Sequence, residues 1–376
     1  MSLLDIEDLA VTFPVDGGPD VPAVDGVDLQ VEPGEIHGLV GESGSGKSVT
    51  ARSIMRLLDG AAVSADRFDY RGEDLYAKSE TEMRAIRGDE IGMVFQDSLS
   101  ALNPVMTVGE QIAEVVRHHG DVDESAGLLS ELRRKYVTGT SKSAPSWRRA
   151  VELLETVGIP DPEEIATSYP HQLSGGQRQR VMIASALGGD PSLIVADEPT
   201  TALDVTVEAG ILDELRRLCD EFDVAILLIT HDLGVVAETC DRVTVMYSGS
   251  VMEHGTTDQL FENPAHPYTK GLLRSIPEGG PTDGELTTIP GSAPEPTDRP
   301  AGCPFRDRCP AAFDACSDPL PEHVVDGGHV ARCHLYTDGD DPDEVTWDAT
   351  ASVDGATNGT AGETAERTPA TEVTDG

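Results

Sequence analysis

At 376 residues the chain has room for two or three folded units and at least one large buried core, which excludes disorder throughout. It carries 68 acidic against 27 basic side chains, a formal net charge of −41, and a field of that sign repels phosphate backbones and anionic headgroups. Bulk binding to nucleic acid or to an anionic membrane surface is therefore excluded, and any phosphate site has to be local.

Over residues 1–277 short apolar runs alternate with amphipathic stretches, which predicts an α/β fold with helices packed over a largely parallel sheet. The run 36–40 stops at a Gly-rich loop, after which Ala51, Ile54, Met55 and Leu58 recur at helical spacing, giving strand, loop and helix. The loop reads Gly41, Glu42, Ser43, Gly44, Ser45, Gly46, Lys47, Ser48, which is the form G-x-x-x-x-G-K-[ST]. Its glycines let backbone N–H groups close around a β-phosphate, and the helix N-terminus adds positive potential. Lys47 reaches the β and γ oxygens, and Ser48 is placed to ligate Mg²⁺.

A strand is predicted over 91–95 with Gln96 at its end. From residue 97 the pattern turns helical, with helices expected over 108–118, 126–136 and 147–157 and a polar break at 138–143. This reads as an inserted helical subdomain spanning 97–175. The runs 193–196 and 224–229 are too short and too uniformly apolar for exposed helices and suit strands buried on both faces. Asp197 and Glu198 close the first of them at the carboxyl edge of the sheet, where open α/β folds bind ligands. Asp197 suits Mg²⁺, and Glu198 suits polarising a water that attacks a γ-phosphate.

Residues 278–300 hold five Pro and four Gly and read as an extended linker. A Cys-rich module comes next at 301–336. The tail 337–376 holds eleven of the acidic residues and few large apolar groups, so disorder is expected there. The longest apolar run, 224–229, is far short of the roughly twenty residues that cross a bilayer. Asp5, Glu7 and Asp8 stand where a secretory signal would be basic and then apolar, so a cytosolic location is expected. The six Cys then read as thiols or metal ligands rather than disulfides.

Leu173-Ser174-Gly175-Gly176-Gln177, after the helical insert and about twenty residues before Asp197-Glu198, resembles the signature motif of ABC ATPases. Gln96 looks like the Q-loop, Ala202-Leu203-Asp204 like the D-loop, and His231 after Ile229-Thr230 like the switch histidine. More narrowly, Phe95-Gln-Asp-Ser-Leu-Ser-Ala-Leu-Asn-Pro104 with its continuation to Glu110, and Phe261-Glu-Asn-Pro-Ala-His266-Pro-Tyr-Thr269, look like the ATP-binding subunits of oligopeptide/dipeptide importers. The resemblance covers roughly residues 3–336; Ser98 stands where members commonly have Pro. Read from the residues alone, His266-Pro-Tyr-Thr is a turn entering a helix.

The resemblance implies a P-loop ABC ATPase core with an inserted helical subdomain and a small C-terminal Cys-rich module. It implies ATP hydrolysis with Mg²⁺, driven by two cassettes in which Ser174, Gly175, Gly176 and Gln177 of one face the γ-phosphate bound by the other. In that arrangement Asp204 counts among the nucleotide-binding residues, His231 orients the γ-phosphate, and Gln96 links the metal to the helical subdomain. Phe13 is a candidate for stacking on adenine, with a core role as the other reading. The implied partners are a second ABC ATPase subunit, paralogue or self, two transmembrane permease subunits and an extracellular solute-binding protein, with no nucleic acid. The chain would then sit at the cytoplasmic face of the membrane as a peripheral subunit. Another small solute or a metal chelate as cargo, or a soluble non-transport ABC ATPase, are the alternatives; a single cassette, no heptad run and no basic patch weigh against the last.

Cys303, Cys309, Cys316 and Cys333 are separated by gaps of five, six and sixteen residues. Four thiols in so short a module can hold a [4Fe–4S] cluster or Zn²⁺, or stay unliganded or form disulfides. Pro after Cys303 and Cys309 resembles the Cys-Pro ending of ferredoxin runs, while the close C-x₂₋₄-C knuckles of structural zinc are absent. Cys219 and Cys240 read as small core residues. Only five of the 27 basic residues are Lys, and an acidic, Lys-poor surface resembles proteins of salt-loving cells, where molar salt shortens the Debye length to about 3 Å.

Overall fold

Thirteen strands form among the described residues, and their order in space explains where a ligand site can lie. Along the chain they are β1 (Leu4–Phe13), β2 (Val21–Val31), β3 (Ile36–Val40), β4 (Ala62–Ser64), β5 (Arg67–Tyr70), β6 (Glu73–Asp74), β7 (Ile91–Val94), β8 (Leu193–Asp197), β9 (Ala225–Thr230), β10 (Arg242–Tyr247), β11 (Ser250–Thr256), β12 (Glu322–Asp326) and β13 (His329–Arg332). The computed structural model describes residues 2–96, 98–120, 122, 140–201, 203–275 and 289–337. The helix expected at 126–136, the first part of the linker and the acidic tail lie outside the described residues.

A smaller antiparallel sheet runs β2-β1-β5-β6, with β4 also on β1. The larger sheet runs β12-β13-β11-β10-β3-β9-β8-β7, and its five strands from β10 to β7 are parallel. Every residue of β3, β8 and β9 is buried, as their mostly apolar sequences favour when helices cover both faces. Register brings Val40 beside Thr230 and Asp197 beside Ile229, so the loop after β3, the end of β8 and the start of the loop after β9 share one carboxyl edge.

The helix after β3, Lys47–Ile54, is shorter than its apolar spacing predicts. Arg56 takes a left-handed φ of 49°, which breaks the helix before Leu58. Between β7 and β8 the described elements are helical: Ser98–Ala101, Val108–His119, Pro145–Thr156, Pro162–Ala166 and Gly175–Ala186, with a 3₁₀ turn at Pro170–Gln172. Thr107 with Glu110 and Ser174 with Gln177 form reciprocal capping boxes, and Pro145 and Pro162 occupy first-turn positions where a missing N–H costs nothing.

The C-terminal residues are built into the larger sheet. β13 pairs antiparallel with β11 through Glu253 beside Ala331 and His254 beside Val330, and β12 adds outside it. The Glu253 carboxylate is fully buried and accepts from the backbone N–H groups of Ala265 (2.7 Å) and His266 (2.8 Å). It also meets His329 Nε2 at 2.7 Å, so the buried charge is satisfied from two separate elements. Phe305, also fully buried, sits edge-on to Tyr247 and tilted against Tyr268 at centroid distances of 5.2 Å each.

Candidate functional site

The phosphate-loop residues meet at the carboxyl edge of the larger sheet. Gly41 must be glycine because a Cβ there would lie 2.0 Å from the Met246 carbonyl, and Gly46 because a Cβ would lie 2.8 Å from the Ala23 carbonyl at a φ of 100°. Lys47 folds back over the loop, its Nζ donating to the carbonyls of Gly41 (2.7 Å) and Glu42 (2.9 Å) and to Ser45 Oγ (3.4 Å). Burial lowers its pKa, an effect partly offset by the carboxylates of Glu198, Asp197 and Glu42.

Ser48 Oγ donates to Asp197 Oδ1 at 2.8 Å, across 149 residues of sequence. Asp197 is almost wholly buried, and that burial raises its pKa against the opposing hydrogen bond from Ser48 and the charge of Arg52. A hydroxyl and a carboxylate side by side, both hard oxygen donors at the mouth of a phosphate loop, fit Mg²⁺ shared with a phosphate.

Glu198 comes next, with a left-handed φ of 47°, and its N–H donates to the Ile229 carbonyl at 2.9 Å. A glutamate held in that region costs of order 1–3 kcal/mol and persists only where its surroundings enforce it. The enforced turn carries its carboxylate into a cleft with Gly41, Glu42, Ser43, Gln96 and His231. There Oε2 accepts from Gln96 Nε2 (2.7 Å) and Thr201 Oγ1 (2.9 Å), and Oε1 meets His231 Nδ1 at 3.3 Å. Burial would raise its pKa, but the hydrogen bonds from Thr201 and His231 and the charges of His231 and Lys47 outweigh it and hold the carboxyl below its usual range. Glu198 is thus an ionised acceptor pointed at the space over the loop, with a histidine and an amide beside it.

Other expected residues lie elsewhere. Ser174 Oγ accepts from Gln177 N (3.2 Å) while Gln177 Oε1 accepts from Ser174 N (2.9 Å), so the signature residues cap the helix Gly175–Ala186. A Cβ on Gly176 would lie 2.4 Å from Val207 Cγ1, so this helix start packs directly on the segment after Asp204. Asp204 itself caps the helix Val205–Phe222 by accepting from Val207 N at 3.0 Å. None of Ser174, Gly175, Gly176, Gln177 or Asp204 lines the cleft at Glu198. Phe13 is half-buried at the end of β1 and packs against the apolar core.

The metal expected on the four terminal cysteines is not formed here: among the described residues no group of three or more His, Cys, Asp or Glu is arranged to hold an ion. All are free thiols. Burial pushes Cys303 up to about 11 and Cys309 and Cys333 up to about 12, and backbone N–H groups of Phe305, Ala311 and Leu335 point at those three sulfurs. Cys303, Cys316 and Cys333 are buried and Cys309 is half-buried, and charge on neighbouring thiols adds to the upward push on Cys303, Cys309 and Cys333.

Two contacts on the phosphate loop escaped sequence reasoning. The Tyr268 hydroxyl accepts from the Glu42 N–H at 3.0 Å, and the Arg308 guanidinium pairs with the Glu42 carboxylate. Tyr268 lies in the His266-Pro-Tyr-Thr run, which read only as a helix entry; Arg308 carried no local signal.

This geometry has counterparts among known proteins. The ABC transporter family matches residues 24–201, and the oligopeptide/dipeptide transporter C-terminal region matches 252–316. The oligopeptide transport ATP-binding protein AppD of Bacillus subtilis (strain 168) is 46% identical over 341 residues, spanning 89% of this chain and 97% of that protein. The dipeptide transport ATP-binding protein DppD of the same organism is 44% identical over 336 residues, 89% of this chain and 94% of that protein. Among solved structures, a dimeric ATP-binding cassette in a post-hydrolysis state with ADP and Pi superposes with a TM-score of 0.55 at 27% identity, covering 68% of this chain and 98% of that one.

Proposed function

The chain belongs to the oligopeptide/dipeptide family of ABC transporter ATP-binding subunits, and from that premise we propose that it is the ATP-hydrolysing motor of a peptide importer. The observation that carries the reading is the meeting of Lys47, Ser48, Asp197, Glu198, Gln96 and His231 at one sheet edge. In it, Lys47 turns from the loop carbonyls to the β and γ oxygens of ATP, joined by backbone N–H groups across 41–48. Mg²⁺ held by Ser48 and Asp197, with Gln96 in reach, would neutralise charge on those oxygens. Glu198 takes the proton of the attacking water, and His231 holds the γ-phosphate in line. Phe13 is the reading for adenine contact.

The signature residues Ser174 to Gln177, with Asp204 beside them, are read as serving the ATP of a second cassette, either another copy or a paralogue. Helix-start N–H groups at Gly175 and Gly176 suit an anion presented from outside the chain. Two permease subunits and a solute-binding protein complete the proposed importer. The chain's proposed place is the cytoplasmic face of the membrane, as a peripheral subunit; among the described residues no helix is long and apolar enough to cross a membrane. In domain terms we read 1–277 as the cassette with its helical insert at 97–175, 278–300 as linker, 301–336 as the Cys-rich module and 337–376 as the acidic tail.

Two finer readings stay proposals. Four cysteines within residues 303–333 support a metal there on rearrangement, and iron with labile sulfide, or zinc, in purified protein would bear it out; protein free of both removes it. The charge of −41 supports salt adaptation, and an activity maximum at low ionic strength would refute it.

Vesicle reconstitution with the cognate permeases and binding protein tests the whole reading. ATP-driven accumulation of a labelled dipeptide, lost in Lys47→Ala, is the expected result. Uptake of a different solute would overturn the cargo, and an absence of Mg²⁺-dependent ATP hydrolysis would overturn the motor.

A further inference from the structure

We propose that Arg308 is a positioning residue for the nucleotide: it neutralises Glu42 inside the phosphate loop and so makes the C-terminal region part of the ATP site. The inference rests on the reading of residues 41–48 as that site. A carboxylate is out of place in a loop built for polyphosphate, because at short range it repels the ligand that Lys47 attracts. Glu42 is the second residue of that loop, and its own carbonyl already accepts from Lys47.

The structure offsets the charge from far along the chain. Arg308 Nη1 donates to Glu42 Oε2 at 2.8 Å over a separation of 266 residues, and the same nitrogen donates to the Tyr247 hydroxyl at 3.2 Å. The guanidinium makes two further bonds: Nε donates to the Pro290 carbonyl (2.9 Å) and Nη2 to the Ile289 carbonyl (3.2 Å). Its carbon lies 5.6 Å from the Tyr247 ring centroid and 5.9 Å from that of Phe305. With 8% of its side chain exposed, Arg308 is a fixed cation fitted to a fork of acceptors, a role Lys would fill poorly.

The same aromatic cluster holds the loop a second time. Tyr268, wholly buried against Tyr247 (4.7 Å) and Phe305, presents its hydroxyl to the Glu42 N–H. Side chain and backbone of one loop residue are thereby both gripped by residues beyond 267. A solvated surface ion pair would have none of this scaffolding and would be worth little.

A double-mutant cycle on the full chain separates positioning from packing, read as the Kd of a non-hydrolysable MgATP analogue by calorimetry. Arg308→Ala is expected to weaken binding roughly tenfold in the native background, the scale of one lost charge-assisted contact. In a Glu42→Gln background the same change is expected to cost less than about twofold, since no carboxylate is left to neutralise. Arg308→Lys, which keeps charge and stem but not the fork, covers a failure of the alanine variant to fold; it should weaken binding about threefold, again only with Glu42 present. A Kd for Arg308→Ala within twofold of the native chain, or an equal loss in both backgrounds, overturns the proposal. If the native chain itself binds no MgATP analogue, the ATP-site reading fails instead.

Discussion

Two parts of this chain carry nucleotide-site motifs, and they differ in how far each is finished. Around the loop at 41–48 the groups are already joined: Ser48 to Asp197, and Gln96, Thr201 and His231 to Glu198. At 174–177 each polar side chain accepts from the other residue's backbone N–H, Ser174 and Gln177 together capping the helix, and the glycines lie tight on the next segment. The first region is arranged to hold charge and move a proton. The second is a capped helix start whose residues do not line the cleft at Glu198. On the proposed reading this contrast makes one copy half a machine, each region being completed by the other region of a partner.

Removing the base should give the largest effect. Glu198→Gln keeps size and polarity while deleting the basic carboxylate, so phosphate release is expected to fall by roughly 10² to 10⁴ with nucleotide binding retained. Near-native release would take Glu198 out of its role.

A smaller effect concerns what supports the loop region from behind. His266, whose ring nitrogen Nδ1 accepts from Tyr268 N at 3.0 Å, is buried beside Glu253, and burial drives its pKa down to about 4. The unfolded imidazole takes its proton near 6.5, so between those values the unfolded chain binds more protons and stability falls as the pH drops. From this histidine alone the loss at pH 5 is about 2 kcal/mol, with none above pH 7. Chemical denaturation of His266→Asn at pH 7 and pH 5 should show a smaller drop than the native chain. An equal drop would mean another group dominates.

Smallest should be Ser174→Ala, which removes a cap worth about 1 kcal/mol and a donor at the signature site. Hydrolysis is expected to fall by roughly tenfold, while binding of a nucleotide analogue to the isolated subunit stays native. Loss of binding in the isolated subunit would place Ser174 at its own loop and collapse the distinction between the regions.

Much of this was legible in the sequence because it is local. Strand, glycine loop and helix succeed one another within twenty residues at 36–54, and the uniformly apolar runs ending at Asp197 and Thr230 are buried as their composition demands. The strained turn at Glu198 was not legible, since it depends on a hydrogen bond to Ile229 in a neighbouring strand. Nor was the grip on Glu42. The Pro- and Gly-rich composition of 278–300 argues that residues 301–336 stand apart from the cassette, yet β13 pairs with β11 and Arg308 reaches the phosphate loop. Contacts across more than two hundred residues leave no periodicity to read, and the cysteine spacing gives no account of where the sulfurs point.

The most direct test of the two-region account is the size of the Glu198→Gln protein, with its cognate partner cassette where one exists, measured by light scattering with and without MgATP. ATP held by Lys47 of one cassette and bridged to Ser174 of another should convert it to a dimer that hydrolysis can no longer reopen, and Ser174→Arg in the same protein should abolish the shift. A mass that is the same with and without MgATP, or a dimer untouched by the Ser174 change, would contradict it.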